Sequence, residues 1–300
     1  MNQLALTGLV TVFSAGFALA EDVTVATARG DVLVPLMPET VLVFDISAID
    51  TLAALGVQPA GVISNLYVSY LDDISANAEV VGSLFEPDFE AVNAIEPDLI
   101  IVGSRSAEQV DALSEFSVAI DMTIWGDDIV GQALARLEAY GAIFDKTAEA
   151  DALATDFNAA LTAAQAATNN AGTALIVMTN GPKVSAYGPG SRFGWLHTTL
   201  GITPAIEDVE AATHGEAISF EFIRDANPDW LIVIDRVAAI GAEGDSAQTT
   251  LDNVLVAETT AWQNGQVIYL DSASIYVAGG GIQSMKAVID TIAAAFGGAS

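Results

Sequence analysis

The sequence contains no cysteine. Disulfide staples, thiolate metal sites, cysteine nucleophiles and a lipid-modified cysteine are therefore all excluded. Histidine is nearly missing as well. Two residues, His197 and His214, are too few for the converging imidazoles and carboxylates of a zinc or manganese receptor. Cations are scarce: six arginines and three lysines face 39 acids, for a net charge of −30. Nucleic-acid phosphates and anionic lipid repel such a polyanion, so neither is expected as a partner. A solvated acidic surface explains the charge itself, but the positions of nine cations then become informative. Catalytic signatures are missing too. There is no Gly-x-Ser-x-Gly elbow, no Gly-x-x-x-x-Gly-Lys phosphate loop and no His-Glu-x-x-His pair.

Only one apolar run stands out, from Leu4 to Ala20, and it falls short of the ~20 residues of a membrane-spanning helix. It ends Ala18-Leu19-Ala20 before Glu21, a small-residue pattern that reads as the cleavage site of a secretory signal. Met1-Asn2-Gln3 supplies no basic residue ahead of it. We expect cleavage after Ala20 and a soluble monomer in a Gram-negative periplasm, without a lipid anchor or membrane insertion.

Beyond the leader, β-rich and amphipathic segments alternate. Thr40–Phe44 precedes Ala48–Leu55, and Leu99–Val102 precedes Ala107–Phe116. Ala174–Met178 and Leu231–Ile234 read as strands, and Gly281–Phe296 as a closing helix that the run Gly279-Gly280-Gly281 caps. Alternation of this kind predicts α/β lobes with largely parallel sheets. Between them, Lys146 to Asn169 has neither Gly nor Pro and carries Leu153, Phe157, Leu161 and Ala164 at helical spacing. A single helix joining two lobes fits this segment; so does an ordinary helix inside one domain. A short repeat favours two lobes. Phe89-Glu90, six residues, then Pro97-Asp98-Leu99-Ile100-Ile101-Val102 returns as Phe220-Glu221, six residues, then Pro228-Asp229-Trp230-Leu231-Ile232-Val233. The expected organisation is a signal over 1–20, an N-terminal lobe over 21–145, an inter-lobe helix over 146–170 and a C-terminal lobe over 171–300. A cleft between lobes is a preferred ligand site.

Arg105 follows the strand Leu99–Val102 and Arg236 follows Leu231–Ile234, at strand ends where α/β folds place ligands. Arg192 sits in a Gly-Pro-Gly-Ser loop able to approach a ligand closely. The guanidinium fork matches a planar catecholate or carboxylate with two parallel hydrogen bonds. Taken singly, each arginine equally suits a surface position or an ion pair. His197, within Phe193–Leu200, reads as packing and stays outside the candidate site.

Several stretches together resemble the periplasmic ferric-siderophore-binding proteins of ABC importers, of the petrobactin and enterochelin type. They are Tyr187-Gly188-Pro189-Gly190-Ser191-Arg192-Phe193-Gly194, Thr213-His214-Gly215-Glu216-Ala217-Ile218-Ser219-Phe220-Glu221, Asp235-Arg236, Leu251-Asp252-Asn253, Ile268-Tyr269-Leu270-Asp271 and Gly279-Gly280-Gly281-Ile282-Gln283-Ser284. The resemblance implies two Rossmann-like α/β lobes bridged by one rigid helix, and binding without catalysis or an intrinsic cofactor. The cargo it implies is iron(III) carried as a siderophore complex. It also implies that Arg105, Arg192 and Arg236 hold the anionic ligand, that His214 and Tyr276 can ligate the iron, and that Glu90 and Glu221 dock on arginines of the permease. In the residues' own terms, both glutamates equally suit solvated carboxylates in the first turn of a helix. His214 and Tyr276 equally suit local hydrogen bonding and cleft packing. A cobalamin, haem or ferric hydroxamate receptor on the same fold is the competing reading; a secreted enzyme is a weaker one.

Overall fold

The computed structural model describes residues 22–209 and 215–298, so the expected signal over 1–20 lies outside the described residues. A hairpin of β1 (Asp22–Thr27) and β2 (Gly30–Pro35) precedes the first sheet. That sheet contains β3 (Val41–Val43), β4 (Gly61–Val62), β5 (Glu79–Val80), β6 (Leu99–Val102) and β7 (Val118–Asp121). Its order is β5-β4-β3-β6-β7, parallel throughout. The unbroken apolar run of β6 is buried at every position, as a parallel strand covered on both faces requires. Helix α1 (Ile46–Ala54) follows β3 and is capped by Asp45, whose carboxylate accepts from the Ala48 N–H at 3.0 Å.

The second sheet contains β8 (Thr173–Asn180), β9 (Lys183–Tyr187), β10 (Thr203–Pro204), β11 (Glu216–Ile218), β12 (Trp230–Asp235) and β13 (Val267–Tyr269). The order is β11-β9-β8-β12-β13, with β10 also beside β8. Strands β8, β10, β12 and β13 pair in parallel, but β9 and β11 run antiparallel. The two sheets are largely parallel as expected, and the antiparallel pair has a local reason. Gly181, at φ +57°, and Pro182 form a two-residue turn that folds β9 straight back on β8.

Between the sheets run α2 (Ile129–Ile143) and the 22-residue α3 (Thr147–Thr168), the latter about 33 Å long at 1.5 Å per residue. Ala150, Phe157 and Ala164 are its buried stripe, with Leu153 and Leu161 packed beside them. Thr168 Oγ1 donates to Leu200 O at 2.6 Å, tying its C-terminal end to the second lobe. The last helix, α4 (Ile282–Gly297), returns to the first lobe. Gln283 N–H and Ser284 N–H donate to the two carboxylate oxygens of Asp50 in α1, at 2.8 and 3.0 Å, and Tyr70 Oη donates to it at 2.5 Å. Burial pushes the fully enclosed Asp50 carboxyl up to about 6 despite those donors. Among the described residues no helix is long and apolar enough to cross a membrane.

The short sequence repeat is a structural repeat. Helices Phe89–Ile95 and Phe220–Ala226 both end on a left-handed residue, Glu96 at φ 53° and Asn227 at φ 38°. The Pro-Asp carboxylate then clamps the start of the neighbouring strand. Asp98 accepts from Thr40 N–H at 2.8 Å, and Asp229 from Thr173 N–H at 2.8 Å. The same local logic therefore starts β6 beside β3 and β12 beside β8.

Candidate ligand-binding site

Arg105, Arg192, Arg236 and Tyr276 come together in the cleft, although they derive from four separate segments. Arg105 sits in the 3-10 turn Ser104–Gln109 directly after β6. Ser106, fully buried, pins that turn by donating to Phe44 O at 3.1 Å and accepting from Gly103 N–H at 3.1 Å. Ser104 holds φ +51°, a strained value of the kind that collects at functional sites. Arg192 leaves the turn Gly188–Gly194, where Ser191 N–H reaches Gly188 O at 3.0 Å. A side chain at Gly194 would meet Pro189 O at 2.0 Å, so only glycine closes this turn. Arg236 begins the short helix Arg236–Ala239 at the end of β12, and Tyr276 ends the helix Ser272–Tyr276.

The three guanidinium groups surround Tyr276. Arg105 and Arg192 both donate to its backbone carbonyl, the former at 3.2 Å, while Arg236 Nε donates to its phenol oxygen at 3.0 Å. The guanidinium carbons of Arg192, Arg105 and Arg236 lie 4.6, 5.6 and 5.8 Å from the ring centroid. Burial would push the phenol up. The hydrogen bond and charge of Arg236, with the charges of Arg192 and Arg105, outweigh burial and hold it below the ordinary tyrosine range. The Arg192 guanidinium is itself pulled down, first by burial and then by its neighbour Arg105. Among the described residues the ion pairs involve Arg29, Arg224, Lys146 and Lys286; none of the three cleft arginines pairs with a carboxylate.

A cavity of about 510 Å³ opens at this cluster, lined by Arg105, Arg192 and Tyr276 together with apolar side chains that include Phe193, Trp195 and Met285. Among the lining residues that sequence reasoning missed are Asp45 and Trp125. Asp45 is a buried carboxylate on the wall, pushed up to about 6 by burial even though Arg105 opposes the shift. Its position just past β3 obeys the strand-end rule used for Arg105 and could have exposed it. Trp125 lies four residues past β7 in a loop without a motif.

His214 lies outside the described residues. His197 is buried, with Nδ1 2.9 Å from Ile202 O and its pKa lowered chiefly by burial, which fits the packing role expected of it. Glu90 and Glu221 occupy the exposed first turns of the two repeat helices, each 15 residues before a cleft arginine (Arg105 and Arg236), and neither lines the cavity.

Comparison with known proteins gives a consistent answer. The family model described as periplasmic binding protein matches residues 41–274. The petrobactin-binding protein YclQ of Bacillus subtilis is 37% identical over 266 residues, covering 86% of this chain and 83% of that protein. The ferric-anguibactin-binding protein FatB of Vibrio anguillarum is 32% identical over 273 residues, covering 88% and 84%. The crystal structure of YclQ superposes with a TM-score of 0.85 at 34% identity over 92% of this chain and 99% of that one. The catecholate-siderophore-binding protein VctP of Vibrio cholerae gives 0.84 at 27% identity over 91% and 100%. These relatives are binding proteins, not enzymes. With two α/β lobes, a connecting helix and a cationic cleft, the chain belongs to the periplasmic binding protein family.

Proposed function

We propose that this protein captures an anionic ferric siderophore of catecholate type in its inter-lobe cleft and delivers it to the permease of an ABC importer for iron uptake. One observation carries the reading. A chain with a net charge of −30 holds three arginines around one tyrosine with no carboxylate partner among the described residues, on a cavity large enough for a chelate. Cationic groups kept from neutralisation in so acidic a protein suit a ligand that brings its own negative charge. A neutral ferric hydroxamate would leave all three charges uncompensated. The ligands for which the relatives are named, petrobactin for YclQ, ferric anguibactin for FatB and a catecholate siderophore for VctP, support the ligand class.

In this reading Arg105, Arg192 and Arg236 hold the ligand's oxygens. Tyr276 and His214 complete the iron's coordination where a tetradentate siderophore leaves two sites open. Iron(III) is a hard ion that suits phenolate oxygen, and a phenol with a lowered pKa loses its proton to the metal more readily. Glu90 and Glu221 meet the permease, one from each lobe. The mature protein works as a periplasmic monomer released by cleavage after Ala20, with lobes over 21–145 and 171–300 joined through 146–170.

Purified mature protein titrated with ferric bis- and tris-catecholates should lose tryptophan fluorescence, because Trp125 and Trp195 both line the cavity. Absence of binding to every ferric catecholate, with binding of haem or cobalamin, would overturn the ligand class and leave the family intact.

A further inference from the structure

Trp125 differs from the other tryptophans in its setting. It is 60% exposed, yet its backbone is fixed at both ends by one side chain. Gln132, in α2, donates from Nε2 to Trp125 O at 2.7 Å and accepts from Trp125 N–H at 3.2 Å. The same Nε2 also donates to Asp128 O at 3.1 Å, and Asp128 caps α2 by accepting from Gly131 N–H at 2.9 Å. The loop is thus bolted to a helix. The indole, by contrast, makes no hydrogen bond and no ring contact with any described residue.

The adjacent residue fixes where the indole stands. Ile124 packs against Gly280, in the segment linking the Tyr276 helix to α4, and a Cβ at Gly280 would lie 3.0 Å from Ile124 Cδ1. Gly280 also holds φ +107°, a conformation open to glycine. The Trp125 loop is therefore seated on the strap that carries Tyr276, and Trp125 faces the cavity that Arg105, Arg192 and Tyr276 line. A rigid, uncommitted aromatic surface beside a cationic cluster is preorganised for a flat partner.

We infer that Trp125 is the stacking platform for an aromatic ring of the bound chelate, and that it makes the cleft selective for iron complexes whose donor oxygens are carried on aromatic rings. This rests on the ferric-siderophore reading above. The arginines read negative charge, which aromatic and aliphatic iron complexes share. Trp125 reads the ring, and its free indole N–H can donate to a chelate oxygen at the same time.

The test is calorimetric, since removing a tryptophan compromises fluorescence. Wild-type protein and the variants Trp125→Ala, Trp125→Leu and Trp125→Phe are titrated with two probes, a ferric bis-catecholamide and ferric citrate. Aromatic stacking predicts about five- to tenfold weaker binding of the catecholamide complex for both Ala and Leu. The Phe variant should recover most of the affinity, and any binding of ferric citrate should be unchanged. If Leu matches wild type, apolar bulk suffices and stacking is overturned. If all variants bind the catecholamide complex like wild type, Trp125 has no such role and the ferric-siderophore reading stands. If wild type binds neither probe, both readings fall together.

Discussion

Replacing Arg192 with methionine should move stability and affinity in opposite directions. Arg105 and Arg192 donate to one carbonyl oxygen, that of Tyr276, and neither pairs with a carboxylate among the described residues. Two guanidinium groups sharing one acceptor lie within about 6 Å, and at an effective dielectric of about 20 they repel by roughly 3 kcal/mol. Against this, the variant loses one hydrogen bond to a neutral acceptor, about 1 kcal/mol. The ligand-free protein should therefore gain roughly 1–2 kcal/mol, seen as a melting temperature higher by about 2–6 °C. An anionic ferric chelate should lose one charge-assisted contact and bind about 10- to 100-fold more weakly. Differential scanning fluorimetry and calorimetric titration measure the two effects. A variant that is both less stable and weaker in binding would refute the reasoning, because Arg192 would then be a structural residue and not a site held in tension for its ligand.

Other changes give separate readouts. Tyr276→Phe should remove a phenol that its arginines hold below the ordinary tyrosine range, so alkaline titration of tyrosine absorbance should lose a low-pH component; an unchanged curve would mean the arginines do not acidify it. It should also abolish any shift of the charge-transfer band with a tetradentate ferric complex, and a hexadentate complex should be little affected. Asp50 holds its proton more tightly when folded, with a pKa raised from 3.8 to about 6, so its stabilising contribution is full below pH ~4 and is lost as pH rises through 6. The Asp50→Asn variant should consequently show a fall in unfolding free energy between pH 4.5 and 7 that is smaller by about 2 kcal/mol than in wild type, measured by urea denaturation; equal falls would contradict the shift. Glu90→Ala combined with Glu221→Ala should impair cellular iron uptake and leave chelate affinity unchanged, and normal uptake would remove their docking role.

Periodicity and burial made much of this molecule readable in advance. The run Leu99–Val102 coincides with β6, and the Gly-free, Pro-free segment 146–169 folds as Thr147–Thr168, because nothing competes with the helical stripe of Ala150, Phe157 and Ala164. The expected amphipathic segment Ala107–Phe116 fared worse. It becomes the 3-10 turn Ser104–Gln109 and a single turn Val110–Leu113, since Ser106 bonds back to Gly103 and Phe44 instead of continuing a helix. Strand-end position singled out Arg105 and Arg236, and the Gly-Pro-Gly-Ser loop singled out Arg192; the structure gathers all three around Tyr276. Asp45 escaped notice because an N-capping aspartate has a sufficient local explanation. Trp125 escaped because its setting depends on Gln132 and Gly280, and Gly280 lies 155 residues away in the chain.

The return of α4 to α1 has a consequence for when this chain can finish folding. Asp50 accepts from an amide 233 residues downstream, and closing so long a loop costs about 5 kcal/mol in chain entropy. Chains are made from the N-terminus, so the first lobe waits with a buried-to-be carboxylate unsatisfied until the final 16-residue helix arrives. Assembly is thereby committed late, and a product truncated before residue 282 lacks the clasp for both lobes. Such a chain presents an open, proteolysable surface where the complete one presents a closed core.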